Sequence, residues 1–201
     1  MHDDIINFNV SLNGILNTFG NVYMPAKYQL FKTYCMSLYG CVLWDFDCIQ
    51  MNRFYVSWRK GLRRLCNLSN RTHSRFIHLI CNDVPVKAQL YKRFNKFMYT
   101  ILTNGNPCVE LAGKLAVSGS SSKVSNNINK ISRDLNCSSS DVLKSPCEFQ
   151  KYVSKYISSC NDIEDQIICG NIRDLIYIRD RNLTGFSTNE INGMLNFLCT
   201  T

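Results

Sequence analysis

Between Asp47 and Asn67 the chain reads DCIQMNRFYVSWRKGLRRLCN, and this stretch leaves little freedom in how it folds. At 100° per residue, Phe54, Trp58, Leu62 and Leu65 fall within one arc of about 80°. Arg53, Arg59, Lys60, Arg63 and Arg64 fall within the opposite arc, with Val56 the one apolar residue among them. A helix separates the two sets, and it must bury one face while the other meets solvent. Asp47 with Gln50 predicts a capping box at its start. Phe46 and Met51 stand at the two staple positions.

The basic arc opposes helix stability. Five like charges share one face, and no acidic residue at i±4 relieves them. Each repulsion costs a few tenths of a kcal/mol, and Gly61 costs the helix about 1 kcal/mol more. A sequence selected for stability alone would not take this form, whereas an anionic ligand would offset the cost.

The charge of the whole chain points the same way. Residues 1–50 hold 2 Lys/Arg and 4 Asp/Glu, residues 51–100 hold 11 and 1, and residues 101–201 hold 10 of each. One fifty-residue segment thus supplies the entire net charge of +8. One-sided charge of this kind is the footprint of a polyanion partner. The competing interpretation is a well-solvated helix face.

The flanking segments are also helical in spacing. Pro25 suits a first turn, and Phe31, Tyr34, Cys35, Leu38, Cys41 and Val42 share a face in a helix predicted to run to Trp44. A short helix is expected over Ser74–Cys81. Pro85 opens another to about Leu102, with Leu90, Phe94, Phe97, Met98 and Ile101 on one side and Lys92, Arg93 and Lys96 on the other. Residues 1–20 read as a short helix, 21–103 as a helical bundle with a basic face, and 104–146 as a linker rich in Ser and Asn. Residues 147–201 read as a C-terminal helical region, with Ser187 and Glu190 capping its last helix. The predicted class is all-α, in a chain whose 201 residues and 45% hydrophobic content can support a core.

Several function classes lack their residues. No Gly-rich phosphate loop, nucleophile elbow or H-E-x-x-H pair occurs. Cys66, His73, His78 and Cys81 carry metal-binding atoms, but their gaps match no zinc pattern, so no metal or other cofactor is expected. Asp3 and Asp4 lack the apolar frame of a catalytic pair. No apolar run is long enough to span a membrane, and the acidic start lacks the order of a signal peptide. Eleven cysteines without such a signal predict reduced thiols and a cytoplasmic or nuclear protein. Tyr39, Trp44 and Trp58 are able to stack on bases, and the sequence alone does not separate that role from core packing.

The order of these motifs is specific. YQLFKTYCMSLYGCVLWDFD, FYVSWRKGLRRLCNLSNRTHSRFIHLI and LYKRFNKFMYTIL follow one another between residues 28 and 102. Together they resemble the region after the palm in reverse transcriptases of non-LTR, LINE-type retrotransposons. Leu30, Phe31, Tyr34, Cys35, Leu38, Tyr39, Gly40, Leu43 and Trp44 match the first part of the family pattern. Trp58, Arg59, Lys60, Arg63, Arg64, Leu65, Thr72 and His73 match the second. The closing FSTNEINGMLNFLCTT looks like the carboxyl end of such reading frames, and the resemblance is looser over 104–201.

The resemblance implies a polymerase thumb, a helical domain beside the palm that grips the template–primer duplex by its backbone. Arg53, Arg59, Lys60, Arg63 and Arg64 would then face phosphates, with Arg71, Arg75, Lys92, Arg93 and Lys96 as further candidates. Such contacts position a duplex and carry no sequence information. The family's aromatic-x-Asp-Asp centre lies upstream in the palm, and nothing in this sequence fits it. The expectation is therefore a C-terminal fragment that does not polymerise DNA by itself, with an RNA/DNA duplex and a palm domain as partners and no membrane. Two other readings remain open: a small helical protein whose basic face meets an acidic protein, and a retrotransposon relic with an uncovered apolar side.

Overall fold

The segregated stripe does form a helix, Ile49–Leu65, in a computed structural model that describes residues 2–20, 22–68, 84–119 and 121–169. In chain order the helices are α1 His2–Thr18, α2 Met24–Tyr34, α3 Ile49–Leu65, α4 Val86–Leu102 and α5 Pro107–Ser118. They continue with α6 Lys123–Leu135, α7 Ser139–Val142 and α8 Pro146–Cys169. A single 3₁₀ turn, Cys41–Leu43, lies between α2 and α3. No strand occurs among the described residues, and the all-α class holds. The helices predicted over 74–81 and after Ser187 lie outside the described residues.

The chain divides into two units. Of the described residues, the first holds those up to Leu38, Asn52–Leu68 and those from Ile163 on; the second holds Tyr39–Met51 and Val84–Asp162. This division cuts through the bundle expected over 21–103.

In the first unit α1 presents Phe8, Leu12 and Ile15, spaced i, i+4, i+7, as a buried stripe. Phe8 meets Phe31 of α2 edge-on at 6.0 Å and Phe54 of α3 at 5.9 Å between ring centres. Edge-to-face pairs of this kind are worth about 0.5–1.5 kcal/mol beyond area burial. Gly61 allows α3 to approach α1. A Cβ there would lie 2.9 Å from Leu12 Cδ2 and 3.2 Å from Phe8 Cζ, both on buried side chains. The glycine therefore has a packing reason, and a ligand is not needed to account for it. We expect Gly61→Ala to destabilise the protein by up to about 2 kcal/mol. Overpacking costs about 1–3 kcal/mol and outweighs the roughly 1 kcal/mol of helix propensity gained. Urea denaturation checks this, and a stabilised variant would mean that the α1–α3 approach is not tight.

Two predictions about the segment between α2 and α3 are corrected. The helix expected from Pro25 to Trp44 stops at Tyr34, where the Cys35 and Met36 amides both donate to the Phe31 carbonyl. Tyr34, expected in the core, is exposed, and Leu38 and Val42 are only half-buried. Gly40 adopts φ 71°, a left-handed conformation that ends helical continuation. Tertiary burial decides the outcome: Cys41, Trp44 and Phe46 are buried in the second unit, which a continuous helix would not achieve. The capping box at Asp47 is the other correction. The helix starts at Ile49, and the Asp47 carboxylate instead pairs with Arg133 at 3.2 Å and Lys130 at 3.6 Å.

The second unit shows that residues 104–146 are mostly helical, which the linker reading missed. Their Ser and Asn residues act as helix caps. Asn106 Oδ1 accepts from the Cys108 amide at 2.9 Å, and Ser122 Oγ accepts from the Ser125 amide at 3.0 Å. Ser138 and Asp141 form a reciprocal capping box, and Asn136 ends α6 at φ 49°. Between those caps α6 buries Ile128, Ile131 and Leu135. Phe46 packs on Tyr91 and Phe94 of α4, each at 5.6 Å. Of the α4 apolar face, Leu90, Phe94 and Met98 are buried, while Phe97 and Ile101 are half-buried.

Polar groups complete this core. Asn95 Nδ2 donates to the Val142 and Lys144 carbonyls, tying α4 to the α7–α8 connection. Tyr91 donates to Asp134 on α6, and Lys87 Nζ pairs with the same carboxylate at 2.8 Å. Burial alone would raise the Asp134 pKa. Hydrogen bonds from Lys87 and Tyr91, with the charges of Lys87 and Lys130, outweigh it and hold the carboxyl below its ordinary value. Asp134 is therefore ionised at neutral pH and strengthens the α4–α6 contact.

Candidate nucleic-acid interface

The geometry of α3 sets its surface chemistry. Phe54, Leu62 and Leu65 are fully buried and Trp58 is 2% exposed, so the apolar arc is the packed face. Arg53, Lys60 and Arg64 are exposed, and Arg59 and Arg63 are half-exposed. Val56 is exposed among them, as its position on the basic arc requires. All five predicted α3 cations thus lie on the side away from the core. From Arg53 to Arg64 they cover about 17 Å at 1.5 Å per residue.

Four of the five charges on this face are unrelieved among the described residues. Arg53, Arg59, Lys60 and Arg64 make no ion pair among the described residues. Partial burial, and then the neighbouring Arg59 charge, pull the Arg63 guanidinium below its ordinary pKa. It remains protonated at any physiological pH. In the described part of the first unit, seven cations (Lys27, Lys32 and the five of α3) stand against four carboxylates, Asp3 and Asp4 on α1 and Glu164 and Asp165 on α8, a balance of +3. Asp3 and Asp4 sit in the first turn of α1, where the helix dipole favours them.

Lys92, Arg93 and Lys96 lie on α4 in the second unit, Lys96 exposed and the other two half-buried. The five α3 cations thus belong to the first unit and these three to the second. Arg71 and Arg75 lie outside the described residues. Of the candidate metal ligands only Cys66 is described; it is buried, and no group of metal-binding side chains occurs among the described residues. No described helix is long and apolar enough to cross a membrane.

The three aromatics with a possible stacking role now divide. Trp58 is 2% exposed and Trp44 7%, so both belong to the core, whereas Tyr39 is 89% exposed. The sequence held one signal for Tyr39, the glycine that follows it and turns the chain. Compared with known proteins, the chain matches no protein-family model, no curated protein and no solved structure.

Proposed function

We propose that this chain is the non-catalytic, thumb-containing C-terminal part of a retrotransposon RNA-directed DNA polymerase, and that α3 grips a template–primer duplex by its phosphates. The carrying observation is that five cations line the outer side of a helix whose inner side is packed, with no described carboxylate neutralising Arg53, Arg59, Lys60 or Arg64. A duplex carries one negative charge per about 1.7 Å of axis, so a basic strip of about 17 Å meets several phosphates at once. Counterion release from those phosphates supplies the free energy, and the self-repulsion of the strip is relieved on binding. The motif order from Leu30 to His73 gives the polymerase assignment. In this reading Ile6 and Val10, exposed one turn apart on α1, lie where a palm would cover them.

Backbone contacts make the binding indifferent to sequence. Fluorescence anisotropy on two RNA–DNA hybrids of unrelated sequence should give affinities equal within about threefold, since a wrong base pair costs a sequence reader about 1–3 kcal/mol each. A strong preference for one hybrid would contradict a phosphate grip.

A further inference from the structure

We propose that the turn from Tyr39 to Trp44 is a stacking platform for an unpaired nucleobase, with the Tyr39 ring as its contact surface. This inference rests on the nucleic-acid reading of the chain and adds a second kind of ligand, single-stranded RNA or DNA, on the second unit.

Tyr39 is the most exposed of the large apolar and aromatic side chains among the described residues, at 89%. Leu43, on the same turn, is also exposed. A single exposed tyrosine needs no explanation. Two large apolar groups on one short turn are different when the backbone beneath them is fixed. The Leu43 amide donates to the Gly40 carbonyl at 2.9 Å, and the Trp44 amide to the Cys41 carbonyl at 3.2 Å. Cys41 and Trp44 are buried, and Asn127 Nδ2 holds the Trp44 carbonyl at 2.7 Å. The ring is therefore carried on an ordered support, which lowers the entropy lost on binding.

The surroundings select the ligand. The turn packs on α4, where Arg93 Nη1 approaches Cys41 Sγ at 3.9 Å. Lys92 and Lys96 stand beside Arg93 at i−1 and i+3 on the same helix. The nearest carboxylates in sequence are already engaged: Asp45 Oδ1 accepts from the Asp47 amide, and Asp47 pairs with Lys130 and Arg133. An exposed ring on a turn that packs against a basic helix matches a base on a strand with charged phosphates. Bases inside a duplex have both faces occupied by their neighbours, so the platform takes an unpaired or terminal base.

The test uses the full chain and a labelled oligothymidylate of about twelve nucleotides, within the reach of such sites. Tyr39→Ala should weaken binding about five- to a hundredfold with the salt slope unchanged, because stacking involves no counterions. Tyr39→Phe and Tyr39→Trp should retain affinity. On a strand of the same length lacking bases, the wild type and Tyr39→Ala should bind alike. Thermal melting confirms that the variants fold. Equal binding of the wild type and Tyr39→Ala to oligothymidylate would overturn the platform, as would an equal loss on the baseless strand. If the wild type binds duplex with a salt slope while Tyr39→Ala behaves as wild type, the platform alone falls. If the wild type binds no nucleic acid, the duplex grip falls with it, and a protein partner becomes the better reading.

Discussion

Replacing Arg59, Lys60, Arg63 and Arg64 together by alanine should weaken binding to an RNA–DNA hybrid at least about a hundredfold at low salt and reduce the salt slope to about −1. Each lost phosphate contact removes a slope of about 0.9, and Arg53 alone remains of the α3 set. The substitution should leave the packed face of α3 intact, because Phe54, Trp58, Leu62 and Leu65 carry its burial. It should also lower helix self-repulsion by a few tenths of a kcal/mol per pair. Equal or slightly raised stability is therefore expected from the changes at Arg59, Lys60 and Arg64, which make no ion pair among the described residues, alongside the lost affinity. Anisotropy against salt measures the first effect and urea denaturation the second. Unchanged binding with unchanged slope would show that α3 is not the interface.

Asn127→Ala should be among the most destabilising single changes in the second unit, at about 2–5 kcal/mol. Asn127 is 2% exposed; its Oδ1 accepts from the Phe46 amide at 2.8 Å while its Nδ2 donates to the Trp44 carbonyl at 2.7 Å. Truncation strands both backbone groups in a buried site, and each stranded group costs about 1–3 kcal/mol. Against the 5–15 kcal/mol typical of whole domains, that loss is large. Asn127→Asp should also destabilise at neutral pH, since a carboxylate cannot donate to the Trp44 carbonyl. The protonated form can donate, so the burial raises the pKa of the new carboxyl and its penalty shrinks as the pH falls. Urea denaturation at neutral and mildly acidic pH reads both results. A loss below about 1 kcal/mol for Asn127→Ala would mean that the 44–46 segment does not depend on this side chain. The same substitution should disorder the support beneath Tyr39, linking a core amide to the proposed platform.

Which features were legible follows from which forces act locally. The α3 stripe was readable because helical period, burial and charge all agree along one segment: Phe54, Trp58, Leu62 and Leu65 are buried and the five cations are not. Pro85 likewise marks the start of α4, which begins at Val86. The end of α2 was not readable, because Leu38 and Val42 continue a helical spacing past Tyr34. What ends the helix is burial of Trp44 and Phe46 beside Asn127, a residue about eighty positions away. The Ser/Asn-rich stretch misled for a related reason. Ser, Asn and Asp favour both loops and caps, and only the partner amide distinguishes them. Ser138 with Asp141 did carry a capping signature, which composition obscured. At the candidate interface, the placement of the five α3 cations on one helix face was legible from period alone. Their assignment to a different unit from Lys92, Arg93 and Lys96 was not, because unit membership depends on long-range packing.

The central claim is a phosphate grip, and salt titration of hybrid binding by the unmodified chain tests it most directly. If Arg53, Arg59, Lys60, Arg63 and Arg64 each neutralise a phosphate, log K should fall against log salt with a slope of about −4 to −5. Between about 50 and 200 mM salt that is a loss of roughly 500-fold in affinity. A flat response, or no binding at the lowest salt, would contradict the grip and leave α3 with a solvated basic face.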